Sequence, residues 1–257
     1  MAYEDMYLKD QRPKVDCLVF DLDDTLYPVS SGIAAEVLKN IHGYMVEKLG
    51  IEKGKVSDVS NLLYRNYGTT MAGLRAMGYS FDYDDYHSFV HGRLPYEKLK
   101  TDPVLRHLLL SLPIRKVIFT NADKVHAAKV LSRLGLEDCF EGIICFETLN
   151  EGSGGLFAAP ILCKPSEFAM EHALRLANIA PQRAVFLDDS VRNIQAGKSI
   201  GLRTVLVGSS CRVKGADHVL ESIHNLREAL PELWEEAEKA EDVRFQSKVA
   251  MEASVIA

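Results

Sequence analysis

Short apolar runs alternate with longer amphipathic segments along most of the chain. The runs are rich in Val, Ile, Leu and Phe, and charged residues or glycines bound them. Such runs are typical of parallel strands that are buried on both faces of a sheet. They predict strands at residues 15–20, 116–121, 142–147, 184–189 and 203–208.

The segments between these runs carry apolar residues at helical spacing. They predict helices within residues 30–50, 55–68, 69–78, 82–92, 102–111, 124–134, 166–177, 193–200 and 218–234. Gly50 ends one of these segments and Gly135 directly follows another, as is typical of helix ends. Strands that alternate with helices indicate the α/β class, with a doubly wound parallel sheet.

Residues 30–95 contain no strand-like run, although they follow the first predicted strand directly. We therefore predict a helical lobe inserted into the α/β core, at a place where it would cover the end of that strand. The predicted parts are a core at 14–28 and 99–234, the lobe at 29–98, an N-terminal arm at 1–13 and a C-terminal tail at 235–257.

The segment at residues 151–160 is rich in small residues and is predicted to be a surface loop. Its glycines do not make a nucleotide-phosphate loop, because no GK[ST] follows them and no strand and helix frame them.

Composition excludes several functional classes. The chain has 257 residues and a formal net charge of −6, which argues against a nucleic-acid partner. No segment has the ~20 apolar residues that a membrane span needs, and the N-terminus lacks an apolar signal core. The five cysteines form no CxxC pair, which indicates a reducing compartment. We therefore expect a cytoplasmic protein, and the sequence gives no indication of its oligomeric state.

Carboxylates crowd the end of the first predicted strand. Asp21, Asp23 and Asp24 lie within four positions of VFDLDDTLYP, where like charges repel. Acidic residues after a strand often only cap the next helix. In doubly wound sheets, however, ligands bind beyond the carboxyl ends of the strands, and a divalent cation there would convert the repulsion into coordination.

Polar residues also end two other predicted strands. Thr120 and Asn121 follow one apolar run, and Asp188 and Asp189 end another. Lys164 lies just before a predicted helix. Each residue alone has an ordinary structural explanation, such as a helix cap or a solvated lysine. Together they form a set suited to phosphoryl transfer.

With these motifs in this order, the chain resembles the haloacid dehalogenase superfamily, in its phosphatase branch. The four matching motifs are DxDxT at Asp21, Asp23 and Thr25; Thr120 with Asn121; Lys164; and Asp188, Asp189 and Asn193. The resemblance implies a Rossmann-like core with an inserted helical cap.

The resemblance also implies roles for these residues. Asp21 would attack phosphorus, and Asp23 would protonate the leaving alcohol and then activate water. Mg²⁺ would be held by Asp21, the backbone carbonyl of Asp23 and Asp189. The supporting and phosphate-binding residues would be Asp188, Asn193, the Thr120 hydroxyl, the Asn121 and Ala122 amides, Lys164 and, as a structural residue, Thr25.

Asp23 narrows the substrate class, because dehalogenases and P-type ATPases lack an acid at that place. A phosphomonoester or a phosphosugar is therefore expected. The polar candidates for substrate selection in the lobe are Arg65, Tyr67, Thr69, Thr70, His91 and Arg93. Alternatively, these side chains only pack the lobe or face water.

Longer stretches, such as YGTTMAGLRAMGYSFDYDDYHSFVHGRLPY, resemble the pyrimidine 5′-nucleotidase-like subgroup, particularly its plant members. The loop after CFETLN resembles members that hydrolyse xanthosine monophosphate. The resemblance implies a nucleoside 5′-monophosphate phosphatase of purine nucleotide catabolism, with xanthosine monophosphate first and pyrimidine nucleotides second. The alternatives are a phosphatase for another small phosphomonoester, a phosphomutase, and a non-catalytic binding protein.

Overall fold

The computed structural model of the protein describes residues 14–151 and 160–234. The predicted N-terminal arm at 1–13, the interior of the predicted loop at 152–159 and the predicted tail at 235–257 lie outside these residues.

A parallel sheet of six strands forms the centre of the described structure, in the order β3-β2-β1-β4-β5-β6. The strands are β1 (Cys17–Phe20), β2 (Arg115–Phe119), β3 (Gly142–Ile144), β4 (Ala184–Asp188), β5 (Arg203–Val207) and β6 (His218–Leu220). β1 pairs with β2 on one side and with β4 on the other, so the strand order reverses at β1. Such a reversal opens a crevice at the carboxyl ends of the strands.

Helices cover both faces of this sheet, which confirms the predicted α/β doubly wound class. Leu18 and Phe20 of β1 belong to an apolar cluster on one face, and Cys17 and Val19 belong to a cluster on the other. Alternate side chains of β1 point to opposite faces of the sheet. Because both faces are covered, every residue of this strand is buried. This explains why the strand is a continuous apolar run.

Ten α-helices have both ends within the described parts of the chain. They are α1 (Ile33–Glu47), α2 (Val56–Tyr67), α3 (Thr70–Ala76), α4 (Tyr83–His91), α5 (Pro103–Leu110), α6 (Lys124–Leu134), α7 (Phe146–Leu149), α8 (Glu167–Leu176), α9 (Val191–Ser199) and α10 (Leu226–Ala229). Single 3₁₀ turns lie at Val29–Ser31, Tyr96–Lys98, Pro181–Arg183 and Ile223–Asn225.

Side-chain caps explain where several of these helices begin. Asp102, Asp123 and Ser166 each accept a hydrogen bond from the backbone amide three residues further on. Such a bond satisfies an amide that has no partner inside the helix. The prediction of a helix at residues 124–134 is confirmed at both ends.

Two predicted elements are wrong in part. Residues 218–220 were predicted to be helical, but they form the edge strand β6. A run of three residues is too short to show strand periodicity, and its pairing with β5 decides its structure. The strand predicted at 142–147 ends at Ile144, and α7 begins at Phe146. Cys145 and Thr148 bond each other and cap this short helix.

Between β1 and α5, residues 29–98 contain α1 to α4 and no strand. We call this segment the helical lobe. Its own apolar cluster includes Tyr44, Leu63, Leu74 and Phe89. The boundaries of core and lobe as separate domains stay a prediction. No helix within residues 14–151 and 160–234 combines the length and the apolar character that crossing a bilayer requires.

Candidate active site

Asp21 lies directly after β1, at the crevice where the strand order reverses. Its side chain is nearly buried, and its backbone amide donates to the Leu187 carbonyl of β4. The Thr25 hydroxyl donates to Oδ2 of Asp21 over 3.1 Å. The carboxylate is therefore held by the strand and by the turn that follows it.

Lys164 reaches this carboxylate from the segment before α8. Its Nζ donates to Oδ1 of Asp21 at 2.6 Å, to Oδ2 of Asp188 at 2.8 Å and to the Phe119 carbonyl at 2.8 Å. The side chain is 1% exposed, so all three donors of the ammonium group are used inside the protein. The nearby carboxylates raise the pKa of Lys164 despite its burial, and it is a buried cation.

Asp188, the last residue of β4, is fully buried and fully bonded. Besides Lys164, it accepts hydrogen bonds from the Ser190 amide and from Nδ2 of Asn193. Asp188 therefore anchors Lys164, while its neighbour Asp189 remains available to a cation.

Asp21, Asp188 and Asp189 each offer a carboxylate oxygen, and these oxygens lie within 4.8 Å of one another. Three carboxylates thus face one lysine, which leaves two negative charges without compensation. Burial and the charge of Asp188 raise the pKa of Asp189 to about 7. The pKa of Asp21 is also raised, mainly by burial and also by the charges of Asp188 and Asp189, although the charge of Lys164 lowers it.

Asp24 adds to this imbalance. Its Oδ1 is buried and has no hydrogen-bond partner among the described residues, and its φ is 57°. Burial and the charge of Asp23 raise the pKa of Asp24 to about 6. A group of hard oxygen donors with excess negative charge fits a divalent cation such as Mg²⁺.

Thr120 and its neighbours form the second wall of the crevice. The Ala122 amide donates to Oγ1 of Thr120 over 3.0 Å, so the hydroxyl proton of Thr120 is free for another acceptor. The Asn121 side chain donates to the Lys164 carbonyl and accepts from the Lys164 amide. Asn121 therefore positions the lysine segment with its side chain.

Asp23 forms a pair with His126 of α6. Nε2 of His126 lies 2.7 Å from Oδ1 of Asp23, and the Tyr27 hydroxyl donates to the same oxygen. The Tyr96 hydroxyl donates to the His91 carbonyl and lies 2.8 Å from Nδ1 of His126. With the hydroxyl proton directed at the His91 carbonyl, Nδ1 of His126 donates to the hydroxyl oxygen, and both ring nitrogens carry protons.

The pKa values of this pair agree with the geometry. Burial would raise the pKa of Asp23, but the charge of His126 and the hydrogen bonds from His126 and Tyr27 lower it to about 2. Burial would lower the pKa of His126, but the charge of Asp23 and their hydrogen bond raise it. These shifts favour a carboxylate beside an imidazolium, with a proton held next to the site.

A cavity of about 240 Å³ lies between the helical lobe and these residues. Its lining from the core includes Asp23, Asn121, Ala122, Arg192 and Asn193. The residues that line it from the lobe are mostly apolar or aromatic. The polar ones include Thr69, Thr70, His87 and His91.

The structure thus brings the sequence-predicted core residues together around one crevice. In the lobe, Thr69, Thr70 and His91 line the cavity, whereas Arg65, Tyr67 and Arg93 are exposed and do not. The guanidinium of Arg93 lies over the Phe89 ring, 3.8 Å from its centroid. A role for these three in substrate selection stays a prediction.

Several residues at this site escaped the sequence analysis, namely Tyr27, His87, Tyr96, Asp123, His126 and Arg192. His126 lies six positions after Thr120, on the buried face of an amphipathic helix. A buried histidine at such a position usually only packs, and nothing local shows that it faces Asp23. A search for histidines close to the strand-end motifs could have found it.

Comparison with known families agrees with this geometry. The family model described as "Hydrolase: haloacid dehalogenase-like hydrolase" matches residues 15–201, from just before β1 to just after α9. The matched range contains every residue assigned above to the carboxylate crevice.

Individual proteins are also similar. Phosphate metabolism protein 8 of Saccharomyces cerevisiae is 27% identical over 212 residues, which are 77% of this chain and 63% of the yeast protein. The match thus spans less than two thirds of that relative's length. Phosphoglycolate phosphatase of Chromobacterium violaceum is 25% identical over 228 residues, 82% of this chain and 95% of that protein.

Among solved structures, a HAD phosphatase from Thermococcus onnurineus superposes with a TM-score of 0.53 and 20% identity. The superposition covers 84% of this chain and 97% of that one. At this level of identity the likeness establishes a shared fold.

Proposed function

The chain belongs to the haloacid dehalogenase-like hydrolases, and on this premise we propose that it is a Mg²⁺-dependent phosphomonoesterase. The observation that supports this most is the meeting of the Asp21 and Lys164 pair with the Asp23 and His126 pair at one crevice. One pair supplies a nucleophile beside a buried cation, and the other supplies a proton.

In the first step, a carboxylate oxygen of Asp21 would attack phosphorus, and the bond to the leaving oxygen would break. The phosphoryl group would then be covalently bound to Asp21. Lys164 would balance the negative charge that spreads over the phosphoryl oxygens, and the free proton of the Thr120 hydroxyl would bind one of them. Since Thr25 and Lys164 hold the carboxylate, little reorganisation would be needed.

The departing alkoxide needs a proton, and Asp23 would deliver it. A carboxyl group with a pKa of about 2 is ionised at neutral pH, so it must first receive a proton. His126 holds one on Nε2, 2.7 Å from Oδ1 of Asp23. In the second step, Asp23 would accept a proton from the water that attacks the phosphoaspartate, and the pair would return to its starting state.

Asp21, the Asp23 carbonyl and Asp189 would hold Mg²⁺, with Asp188 and Asn193 fixing the surrounding bonds. The two uncompensated negative charges of the carboxylate group support this assignment. When bound, the cation would keep Asp21 ionised and allow an anionic phosphate to approach it.

For the substrate we propose a nucleoside 5′-monophosphate, with xanthosine monophosphate first and pyrimidine nucleotides second. Sequence resemblance to the nucleotidase-like subgroup supports this choice. The mostly apolar lobe side of the cavity would suit a base, and Thr69, Thr70 and Arg192 would offer polar contacts to it.

The size of the cavity favours a second candidate, a smaller phosphomonoester. About 240 Å³ is below the roughly 300–1,000 Å³ of typical small-molecule sites, so a nucleotide would require the lobe to move outward. One similar protein is called a phosphoglycolate phosphatase, which agrees with a compact substrate.

A phosphate-release assay separates these candidates. The panel should contain xanthosine, uridine and guanosine monophosphates, phosphoglycolate, a hexose phosphate and p-nitrophenyl phosphate, each with Mg²⁺ and with EDTA. We expect Mg²⁺-dependent release, with the highest kcat/KM on xanthosine monophosphate. The highest kcat/KM on phosphoglycolate would establish the second candidate. No release on any substrate, from folded protein with Mg²⁺, would show a non-catalytic protein.

A further inference from the structure

A second group of metal-ligating side chains lies outside the carboxylate group. His87 and His91 are four residues apart on α4, so their rings lie on the same face of the helix. Their rings stack at 5.7 Å between centroids. Asp123, in the segment between β2 and α6, faces both rings, and the donor atoms of the three residues lie within 4.8 Å of one another.

The two oxygens of Asp123 have separate partners. Oδ1 caps α6 by accepting from the His126 amide at 2.9 Å. Oδ2 bonds Nδ1 of His91 and lies 3.5 Å from Nδ1 of His87. One carboxylate oxygen is thus directed at both imidazoles and is not needed to begin the helix.

His87 is the unexplained member of the group. It is 8% exposed, yet neither of its ring nitrogens makes a hydrogen bond within residues 14–151 and 160–234. A buried polar atom without a partner costs about 1–3 kcal/mol, so such atoms usually have a ligand or a structural reason. Phe146, 4.7 Å away between ring centroids, packs on the ring but offers no hydrogen bond.

The pKa shifts of the three side chains favour the forms that bind metal ions. Burial and the charge of His91 lower the pKa of His87 to about 4. Burial lowers the pKa of His91 too. Burial of Asp123 is outweighed by the hydrogen bond and charge of His91, and the pKa of the carboxyl falls. These directions favour the neutral imidazoles and the carboxylate that metal binding requires.

We propose that His87, His91 and Asp123 bind a transition-metal ion of the Zn²⁺ or Co²⁺ type, separate from the Mg²⁺ site. Imidazole nitrogen suits these ions, whereas the all-oxygen group around Asp21 suits Mg²⁺. His91 would bind through Nδ1 with its single proton moved to Nε2, so that the ion takes the place of the proton now shared with Asp123. The ion would also give His87 the partner that it lacks.

This site would join the helical lobe to the core, because its histidines come from α4 and its carboxylate from the segment after β2. Three protein donors leave a coordination position open. His87 and His91 line the cavity, so the open position would face the substrate. The ion would hold the lobe closed and offer a contact to a donor atom of the bound molecule.

Co²⁺ binding tests the proposal without any reliance on hydrolysis. The purified protein would be stripped of metal, saturated with excess Mg²⁺ and titrated with Co²⁺ by visible absorption, then with Zn²⁺ in competition. We expect one equivalent of Co²⁺ that Mg²⁺ does not displace and Zn²⁺ does. At 100-fold excess over Kd, Zn²⁺ should raise Tm by roughly 5–10 °C.

Substitutions test which side chains bind this equivalent of Co²⁺. His87→Ala and His91→Ala should each weaken Co²⁺ binding more than tenfold. His107→Ala, which changes an exposed histidine of α5, should leave it unchanged, and so should Asp21→Asn, which changes the oxygen site. The proposal is overturned if the wild type binds no Mg²⁺-resistant Co²⁺, a result that needs no variant to fold. It is equally overturned if folded His87 and His91 variants bind Co²⁺ normally, or if Asp21→Asn abolishes binding.

Discussion

The core and the lobe face each other across one cavity, and they differ in how completely their buried polar groups are hydrogen-bonded. On the core side, buried charges are densely bonded: Lys164 uses all three of its donors, and Asp188 accepts from three residues. On the lobe side, the surface is mostly apolar, and the buried ring of His87 has no hydrogen-bond partner among the described residues.

This difference separates two tasks. The bonded charges of Lys164, Asp21 and Asp188 are held in one geometry, as phosphoryl transfer requires. An apolar surface with unsatisfied donors and acceptors can accept different ligands, as substrate selection requires. We therefore expect substitutions on the core side to lower activity on all substrates alike. The effects of substitutions in the lobe should differ between substrates or act through closure of the lobe on the core.

The largest effect is expected for Lys164→Met, which removes the cation between Asp21 and Asp188. Loss of charge stabilisation in the transition state should lower kcat/KM by roughly 10²–10³-fold on every substrate. Two buried carboxylates would lose their partner, which costs on the order of 3–5 kcal/mol in unfolding free energy without Mg²⁺. Chemical denaturation with and without Mg²⁺ checks the second effect.

Lys53→Met is the matched control, since Lys53 is exposed. Near-normal activity of Lys164→Met would show that Lys164 does not stabilise the transition state. If Lys164→Met loses the same stability with and without Mg²⁺, Lys164 is not coupled energetically to the carboxylates that would bind the ion.

A smaller effect is expected for His126→Gln, which removes the imidazolium beside Asp23. General acid catalysis contributes about 10²–10⁴-fold, and Asp23 itself remains, so a loss of roughly 10–100-fold is expected on alkyl phosphates. p-Nitrophenolate leaves without a proton, so p-nitrophenyl phosphate should lose only a few-fold. Steady-state kinetics on both classes measures the ratio, and equal losses would contradict the proton transfer from His126.

Gly68→Ala tests how closely the lobe must approach the core. Gly68 has a φ of 89°, and an added Cβ would lie 2.6 Å from the Lys164 carbonyl. Gly78 has a φ of 88° with open space around it, so Gly78→Ala introduces the same backbone strain without the clash. We expect both variants to be destabilised, but only Gly68→Ala to lose roughly tenfold in kcat/KM. Equal kinetics for the two would show that the contact with Lys164 does not matter for catalysis.

The smallest effect is expected for Arg192→Ala. The guanidinium of Arg192 donates to the carbonyls of Tyr64 and Arg65, and so connects α9 to the lobe. These are partly exposed contacts, so KM should rise only a few-fold while kcat changes little. Arg175→Ala is the control, because Arg175 is an exposed residue of α8 whose guanidinium lies 4.0 Å from the Glu171 carboxylate. A fall in kcat with KM unchanged would place Arg192 in the chemistry.

The core side was predictable from sequence because its residues follow strands. Asp21, Thr120 and Asp188 each end an apolar run, and parallel strands bring such ends to one edge. The sixth strand was missed, since three residues at a sheet edge carry too little periodicity. The interior of the sheet was therefore easier to predict than its border.

The lobe side was harder to predict, because its geometry depends on tertiary contacts. His87 and His91 read as polar positions of an amphipathic helix, and only the packing of α4 on the core places them beside Asp123. His126 is similar, since its partner Asp23 lies 103 positions away in sequence. Arg65 and Arg93 stood out by charge alone, and both are exposed.

The central claim is that Asp21 becomes phosphorylated during turnover, and detection of the phosphoenzyme tests it most directly. The protein would be mixed with Mg²⁺ and its best substrate, quenched in acid within the first turnovers, and analysed by intact mass and peptide mapping. We predict one phosphoryl group on Asp21, discharged by hydroxylamine and absent from Asp21→Asn and from EDTA-treated protein. A substrate turned over rapidly with no adduct at any quench time, or an adduct on another residue, would contradict the account.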